Sequence, residues 1–238
     1  MPEHTLIDLL AGYDTVVFDL DGVVVDSNEL KIAALTKALA DLDPNVVRPF
    51  LDQFRCTFGR TRREHFASLY AEHLGRTGDF DRFYRTYAGR YAALLAEIYP
   101  TAPLCRGASA MLHGLAVRGV PMAVATGTAT TEAEQVLTVN GLRPYLGQVL
   151  GGERPKHERL REIPGARKVL VGDSSQDRAS ALRAKTGFVF VTRYALDPRG
   201  VRELPADAAE SHFWAEDLTP DTGYHQLESR SLREGIRQ

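Results

Sequence analysis

A short apolar run near the start of the chain ends abruptly in the acidic sequence Asp19-Leu20-Asp21-Gly22. The run, from Asp14 to Phe18, is rich in β-branched residues, which is typical of a strand buried on both faces of a parallel sheet. The polar residues that follow it should therefore lie at the carboxyl end of that strand. Three further runs fit the same description: Val120 to Ala125, followed by Thr126-Gly127-Thr128; Lys168 to Val171, followed by Gly172-Asp173-Ser174; and Phe188 to Val191.

Helical patterns separate these strands and end at glycine or asparagine stop signals. They run from Ala108 to Val117, from Thr131 to Val139 and from Gln176 to Lys185. Strands that alternate with helices predict an α/β fold, a Rossmann-like parallel sheet with helices on both faces. In such sheets ligands bind beyond the carboxyl ends of the strands, where the polar clusters are expected.

One long stretch breaks the alternation. Between Ser27 and Tyr99 the chain shows successive amphipathic helices and no convincing strand, with examples at Glu29 to Leu42, Arg62 to Leu74 and Phe80 to Ile98. We therefore expect residues 1–27 and 100–238 to form the α/β core, and residues 28–99 to form an inserted helical domain. After Thr192 the pattern weakens, and Ser229 to Gln238 are predicted to form a frayed polar tail.

Charge and cysteine content narrow the functional classes. The 238 residues carry 29 Lys+Arg against 31 Asp+Glu, a formal net charge of -2, which predicts no binding to nucleic acid or to an anionic membrane surface. Cys56 and Cys105 offer neither a metal-ligand spacing nor a disulfide framework. The start Pro2-Glu3-His4 does not resemble a signal peptide, and no apolar run approaches the ~18 residues of a membrane span. We expect a cytoplasmic protein.

The two aspartates after the first strand predict a cation site. Charged groups at a buried strand end repel each other unless something compensates, and Mg²⁺ prefers a few carboxylates together with water and a phosphate oxygen. Asp173, at the end of another strand, is a candidate for a further carboxylate ligand. Asp177, one helical turn later, is a candidate for orienting waters or a lysine.

Phosphoryl transfer also needs a nucleophile, charge neutralisation on the phosphoryl oxygens and a proton for the leaving group. Thr126, with the amides of Gly127 and Thr128, can donate hydrogen bonds to those oxygens, and Lys156 can supply a positive charge. The sequence therefore predicts a magnesium-dependent enzyme that acts on a small-molecule phosphate ester.

Four ordered motifs carry a resemblance to a known family: Asp19-Leu20-Asp21-Gly22-Val23, Thr126, Lys156 and Gly172-Asp173-Ser174-Ser175-Gln176-Asp177. They resemble the haloacid dehalogenase superfamily over about Asp14 to Val191. The continuation to Asp26-Ser27 further resembles the branch that contains phosphoglycolate phosphatases and β-phosphoglucomutases. The resemblance implies a phosphatase whose inserted helices form a cap over the catalytic core.

The resemblance also implies a role for each acidic residue. Asp19 would be the nucleophile that becomes the aspartyl phosphate, and Asp21 the acid for the leaving oxygen and the base for water. Mg²⁺ would be bound by Asp19, by the main-chain carbonyl of Asp21 and by Asp173. Asp177 would support these residues from behind.

For the transferring phosphoryl group, the resemblance implies contacts from Thr126, Gly127 and Lys156. The sequence departs from many relatives here, because they place proline directly after the motif lysine, whereas Pro155 precedes Lys156 in this chain. Lys168 is a poor rival because it starts a strand, at the opposite edge of the sheet.

A dense basic group, Gly59-Arg60-Thr61-Arg62-Arg63-Glu64-His65, lies near a predicted helix start in the inserted domain. Arg60 is the candidate for a substrate contact, with Arg62 as a second, since a guanidinium can bind a carboxylate or a second phosphate bidentately. The alternative is a solvated helix face on which Arg62 and Arg63 pair with nearby acids.

Other functions use the same residues. A phosphomutase would return the phosphoryl group from Asp19 to a sugar hydroxyl, and sequence hardly separates it from a phosphatase. A C–P hydrolase would need a lysine where Arg62 stands, and a dehalogenase would have no use for Asp21. A non-catalytic binding protein of the same fold is disfavoured because every motif position holds a competent residue. The substrate stays open, as does the choice between monomer and homodimer.

Overall fold

The computed structural model describes residues 5–196 and 212–226. Within them the strands are β1 (Thr15–Phe18), β2 (Met122–Ala125), β3 (Gln148–Leu150), β4 (Lys168–Gly172), β5 (Gly187–Val191), β6 (His212–Ala215) and β7 (His225–Gln226). They form one sheet in the order β3-β2-β1-β4-β5-β6-β7. All neighbours pair in parallel except β6 and β7, which are antiparallel.

Both faces of the sheet are covered. Every residue of β1, β2 and β5 is buried, as expected for parallel strands with helices on each side. Because successive side chains point to opposite faces, Val16 and Phe18 pack into one hydrophobic layer and Val17 into the other. The first layer is larger and continues into the inserted helices, where it includes Phe50 and Leu95.

The helices of the described residues are α1 (Leu6–Ala11), α2 (Asn28–Ala38), α3 (Pro44–Cys56), α4 (Arg62–Ser68), α5 (Phe80–Ile98), α6 (Ala108–Val117), α7 (Thr130–Val139), α8 (Lys156–Glu162) and α9 (Ser175–Ala184). The local sequence explains where two of these helices begin. At α4 the Thr61 hydroxyl accepts a hydrogen bond from the amide of Glu64, and the Glu64 carboxylate accepts one from the amide of Thr61, which is a capping box. At α9 the Ser174 hydroxyl accepts the amide of Asp177, which holds that aspartate in the first turn.

The predicted α/β fold is confirmed, and the four predicted strands correspond to β1, β2, β4 and β5. Three strands were not predicted. β3 has only three residues between Gly147 and Gly151, too few for a periodic signal, and β6 and β7 lie in the weakly patterned part after Thr192. The predicted tail, Ser229 to Gln238, lies outside the described residues.

Helices α2 to α5 follow β1 without an intervening strand, in agreement with a helical insertion. The helix expected over Arg62 to Leu74 is α4, continued by one π-helical turn over Leu69–His73. These helices contact the core directly, since Arg62 of α4 pairs with Glu132 of α7 at 2.6 Å. Among the described helices, none is both long enough and apolar enough to cross a membrane.

Candidate active site

The parallel register brings three strand ends together. β1 pairs with both β2 and β4, with Phe18 opposite Val124 and Val171. The polar residues that follow these partners therefore reach the same edge of the sheet, and all three are buried: Asp19, Thr126 and Asp173. The amide of Asp19 donates to the Val171 carbonyl at 2.8 Å, which continues the ladder to the site. Strand register alone thus positions the predicted nucleophile beside two predicted partners.

Lys156 begins α8, and its ammonium lies between two aspartates. Its Nζ donates to Asp19 Oδ1 at 2.7 Å and also to Asp177 Oδ1. Burial disfavours the ammonium, but Asp177 and Asp19 together outweigh burial and raise the pKa of Lys156. Burial and the neighbouring Asp177 carboxylate raise the pKa of Asp19 to about 7, although Lys156 opposes them. Lys156 therefore lies beside Asp19, whereas the ammonium of Lys168 donates to two main-chain carbonyls.

Three carboxylates crowd together beside this lysine. Asp19, Asp173 and Asp177 present ligand oxygens that all lie within 4.8 Å of one another. Burial, followed by repulsion from Asp19 and Asp177, raises the pKa of Asp173 well above its usual range. Concentrated buried negative charge with oxygen donors is what a small divalent cation compensates, so the residues fit Mg²⁺. The side chain of Asp21 lies outside this cluster.

Gly22 shows how closely the loop after β1 approaches the carboxylates. Its φ of +78° is left-handed, and a Cβ there would lie 2.0 Å from Asp173 Oδ2 and 2.4 Å from Asn28 Nδ2. Asn28 in turn donates to Asp173 at 2.8 Å. Among the described residues, the Asn28 Oδ1 atom is buried and has no hydrogen-bond donor. A glycine is therefore needed for Asp173 to occupy this position.

The Asp21 carboxylate faces the other way and accepts hydrogen bonds on both oxygens. The donors are Ser27 at 2.6 Å and Tyr99 at 2.8 Å on Oδ1, and Lys31 at 2.5 Å and Thr128 at 2.8 Å on Oδ2. Burial raises the pKa of Asp21, but Lys31, Ser27 and Thr128 together outweigh it and lower the pKa below its usual value. Asp21 is thus held as a carboxylate by groups from the core and from the inserted helices.

Thr126 and Gly127 form the loop at the end of β2. The Thr126 hydroxyl accepts the amide of Thr128 at 3.1 Å and lies 3.4 Å from Asp21 Oδ2. Behind the loop, the buried Arg159 guanidinium donates to the Thr126 carbonyl at 3.0 Å, the Arg154 carbonyl at 2.9 Å and the Leu150 carbonyl. Arg159 therefore ties together the end of β2, the end of β3 and the approach to α8.

The inserted helices supply the opposite wall of a cavity above these residues. Its lining from that side includes the cations Lys31 and Arg60, the buried imidazole of His65 and an aromatic group, Phe54, Phe58, Phe66 and Tyr91. Arg60 is exposed at the rim, and the described residues give its side chain no ion pair. Burial, then Arg60 and Lys31, lowers the pKa of His65 to about 3, so the imidazole adds no charge and the cations of this wall are Lys31, Arg60 and Arg62.

The structure separates the two arginine candidates. Arg62 is paired with Glu132 at 2.6 Å and lies over the Tyr91 ring, with the side chains of the ion pair each 19% exposed. Arg63 pairs with Asp81. The alternative to a substrate contact was a solvated helix face on which Arg62 and Arg63 pair with acids. Both arginines do pair with acids, but Arg62 is largely enclosed and not solvated. Of the three arginines, Arg60 lines the cavity and has no such partner among the described residues.

Comparison with known proteins decides the family. Residues 16–191 match the family model described as haloacid dehalogenase-like hydrolase. The chain belongs to that family. A phosphoglycolate phosphatase from Rhodospirillum rubrum is 31% identical, covering 83% of this chain and 87% of that protein. A plasmid-encoded phosphoglycolate phosphatase from Cupriavidus necator is 29% identical over 81% and 87%, respectively.

A solved structure shares the architecture. A hydrolase from Pseudomonas syringae superposes with a TM-score of 0.70 at 18% identity, covering 87% of this chain and 95% of that one. The predicted resemblance to the haloacid dehalogenase superfamily is thereby confirmed, and with it the α/β fold and the assignment to a hydrolase family.

Several residues around the site were not predicted from the sequence. Lys31, Tyr99 and Arg159 were overlooked, although one signal was present for Lys31. It shares a helical stripe with Leu35 and Ala38, at spacings of four and seven residues, so it occupies a position that usually faces the protein interior. A lysine there requires a buried partner, and Asp21 is that partner.

Proposed function

We propose that this protein is a magnesium-dependent phosphatase that hydrolyses a small phosphorylated metabolite through a phosphorylated Asp19. The observation that carries the proposal is the arrangement of Asp19: its carboxylate lies at a strand end between the ammonium of Lys156 and the carboxylate of Asp173. The family, and relatives named as phosphoglycolate phosphatases, support a phosphoric monoester hydrolase.

In this proposal Asp19, Asp173 and the main-chain carbonyl of Asp21 bind Mg²⁺, with Asp177 close enough to assist. The cation, when bound, neutralises charge on the phosphoryl oxygens and on the carboxylates. The ammonium of Lys156, which is held in place by Asp177, also helps to neutralise the charge on the phosphoryl oxygens. The hydroxyl of Thr126 and the amide of Gly127 hold the remaining phosphoryl oxygens.

The residues of the chain account for both halves of the reaction. A carboxylate oxygen of Asp19 attacks phosphorus while the bond to the ester oxygen breaks. Asp21, which has to take up a proton in the substrate complex because the free site holds it as a carboxylate, passes that proton to the leaving ester oxygen. A water molecule then attacks the phosphorus of the aspartyl phosphate. Asp21 takes the water's proton, the bond to Asp19 breaks, and inorganic phosphate leaves. Burial among apolar and aromatic side chains limits access of bulk water during these steps.

The helical segment supports a selective role. We assign residues 28–99 to a cap and residues 1–27 and 100–238 to the catalytic core, with substrate choice made mainly by the cap. Arg60 would bind the distal part of the substrate, because this residue lines the cavity and has no ion pair among the described residues. A carboxylate or a second phosphate at the far end of a longer substrate would suit this guanidinium.

The experiment that tests the proposal is phosphate release from a panel of phosphorylated metabolites, with Mg²⁺ and with EDTA. Release should be concentrated on few compounds and abolished by EDTA. Asp19→Asn should lower turnover at least about 1000-fold because it removes the nucleophile, while the exposed Asp52→Asn variant should match wild type. Appreciable turnover by the Asp19 variant contradicts the assignment, and isomerisation of sugar phosphates without release, followed by NMR, would identify a mutase instead.

A further inference from the structure

Lys31 is a buried lysine on the first inserted helix and points into the proposed active site. Its side chain is only 8% exposed, and its ammonium contacts Asp21 Oδ2 at 2.5 Å, also bonds Thr128 Oγ1 and lies 4.6 Å from the centre of the Tyr99 ring. It also lines the cavity. No role assigned so far uses this cation.

The hydrogen bonds around Asp21 leave no acceptor position facing a substrate. Each of its two oxygens accepts two close bonds, from Ser27 and Tyr99 on one and from Lys31 and Thr128 on the other. A carboxylate offers about four lone-pair sites in total. For Asp21 to contact an ester oxygen, one of the four donors has to move away.

Lys31 is the donor that is best able to move. Ser27 and Tyr99 are buried to 0% and 1% exposure and do not line the cavity. Thr128 has a short side chain on the core loop after β2. The lysine, by contrast, has a long flexible side chain that borders the cavity from the cap side, and an ammonium can exchange one anion for another.

We propose that Lys31 binds an anionic group on the leaving portion of the substrate, close to the ester oxygen, and in doing so uncovers an oxygen of Asp21. The proposal rests on the phosphatase function above and narrows its substrate class. A substrate of this class is a short phosphate monoester with a carboxylate about one carbon from the ester-bearing oxygen, as 2-phosphoglycolate has. An anion farther along a longer substrate would reach Arg60 at the rim and leave Lys31 on Asp21.

Two compounds of matched size test this proposal: 2-phosphoglycolate and ethylene glycol monophosphate, in which a neutral CH₂OH replaces the carboxylate. Wild-type protein should prefer the first in kcat/KM, and Lys31→Met should reduce that preference at least about tenfold, since one charge-assisted contact is lost. Lys31→Arg, which keeps the cation, should retain part of the preference. Lys37→Met, at an exposed position on the same helix, should leave it unchanged.

A binding measurement separates this proposal from the phosphatase proposal. Calorimetric titration of both compounds into Asp19→Asn with Mg²⁺, with and without Lys31→Met, reports the preference without turnover. If wild type releases phosphate from no compound of the metabolite panel, the phosphatase proposal fails, and the titration still decides on Lys31. Equal weakening of both compounds by Lys31→Met would overturn the proposal. If thermal unfolding shows that Lys31→Met does not fold, Lys31→Gln, which can still donate to Asp21, serves instead, with the same two outcomes.

Discussion

Replacing Arg159 with alanine tests how the loop after β2 is held in place. In the described part of the chain, the Leu150 carbonyl also accepts the amide of Thr126 at 3.0 Å, whereas Arg159 is the donor that the structure gives to the Thr126 and Arg154 carbonyls. Both carbonyls would therefore lose their donor, at about 1–3 kcal/mol for the buried carbonyl of Thr126 and less for that of the exposed Arg154.

Part of that cost is offset, because alanine also removes a buried guanidinium that no carboxylate of the described residues neutralises. Burial lowers the pKa of Arg159 to about 10, which shows the strain of keeping this charge in the interior. Subtracting this relief, we expect Arg159→Ala to lower the free energy of unfolding by roughly 2 kcal/mol.

Urea unfolding followed by circular dichroism measures this loss, with the free energy taken from the midpoint and a shared slope. The matched control is Arg161→Ala on the same helix, since Arg161 is exposed and donates one bond, to the Arg183 carbonyl at 2.6 Å. That variant should lose less than about 0.5 kcal/mol. If Arg159→Ala is no less stable than Arg161→Ala, the three carbonyl bonds do not hold the loop and the reasoning is wrong.

Two further predictions concern Gly22 and His65. Gly22→Ala should raise the Mg²⁺ concentration needed for half-maximal activity at least about tenfold and destabilise the fold by about 1–2 kcal/mol, because its Cβ would displace Asp173; an unchanged magnesium dependence would contradict this. The pKa of His65 is about 3 in the folded protein and 6.5 in the unfolded chain. Between these two pH values only the unfolded chain binds a proton at His65, so the free energy of unfolding falls as the pH drops below 6.5. His65→Gln should reduce the loss of unfolding free energy between pH 7 and pH 5 by about 1–2 kcal/mol, as compared with wild type in urea titrations at both pH values.

The strand ends were predictable because parallel register leaves little freedom. Once Asp19, Thr126 and Asp173 are each placed directly after a buried strand, their proximity follows from the topology of the sheet. Lys156 was harder to predict, since its place depends on the short helix α8 and not on a strand. The sequence nevertheless favours Lys156 over Lys168, because Lys168 begins a strand and so lies at the opposite edge of the sheet from Asp19.

The donors around Asp21 could not be predicted in the same way. Lys31 and Tyr99 lie 10 and 78 residues from Asp21 along the chain, and their contacts depend on how the inserted helices pack on the core. Periodicity shows that Lys31 lies on a buried helix face, but it does not show what that face contacts. The same limit applies to Arg159, whose partners are main-chain carbonyls without any sequence signature.

Ser27 and Tyr99 occupy the two ends of the helical segment, and both donate to the same oxygen of Asp21. The chain thus leaves and re-enters the core through residues that hold one carboxylate in place. A third bond comes from between these two points, since Lys31 on α2 donates to the other oxygen. A single side chain of four atoms beyond its Cα therefore fixes both ends of the segment and its first helix relative to the sheet, so that a change in the packing of these helices is felt directly at Asp21.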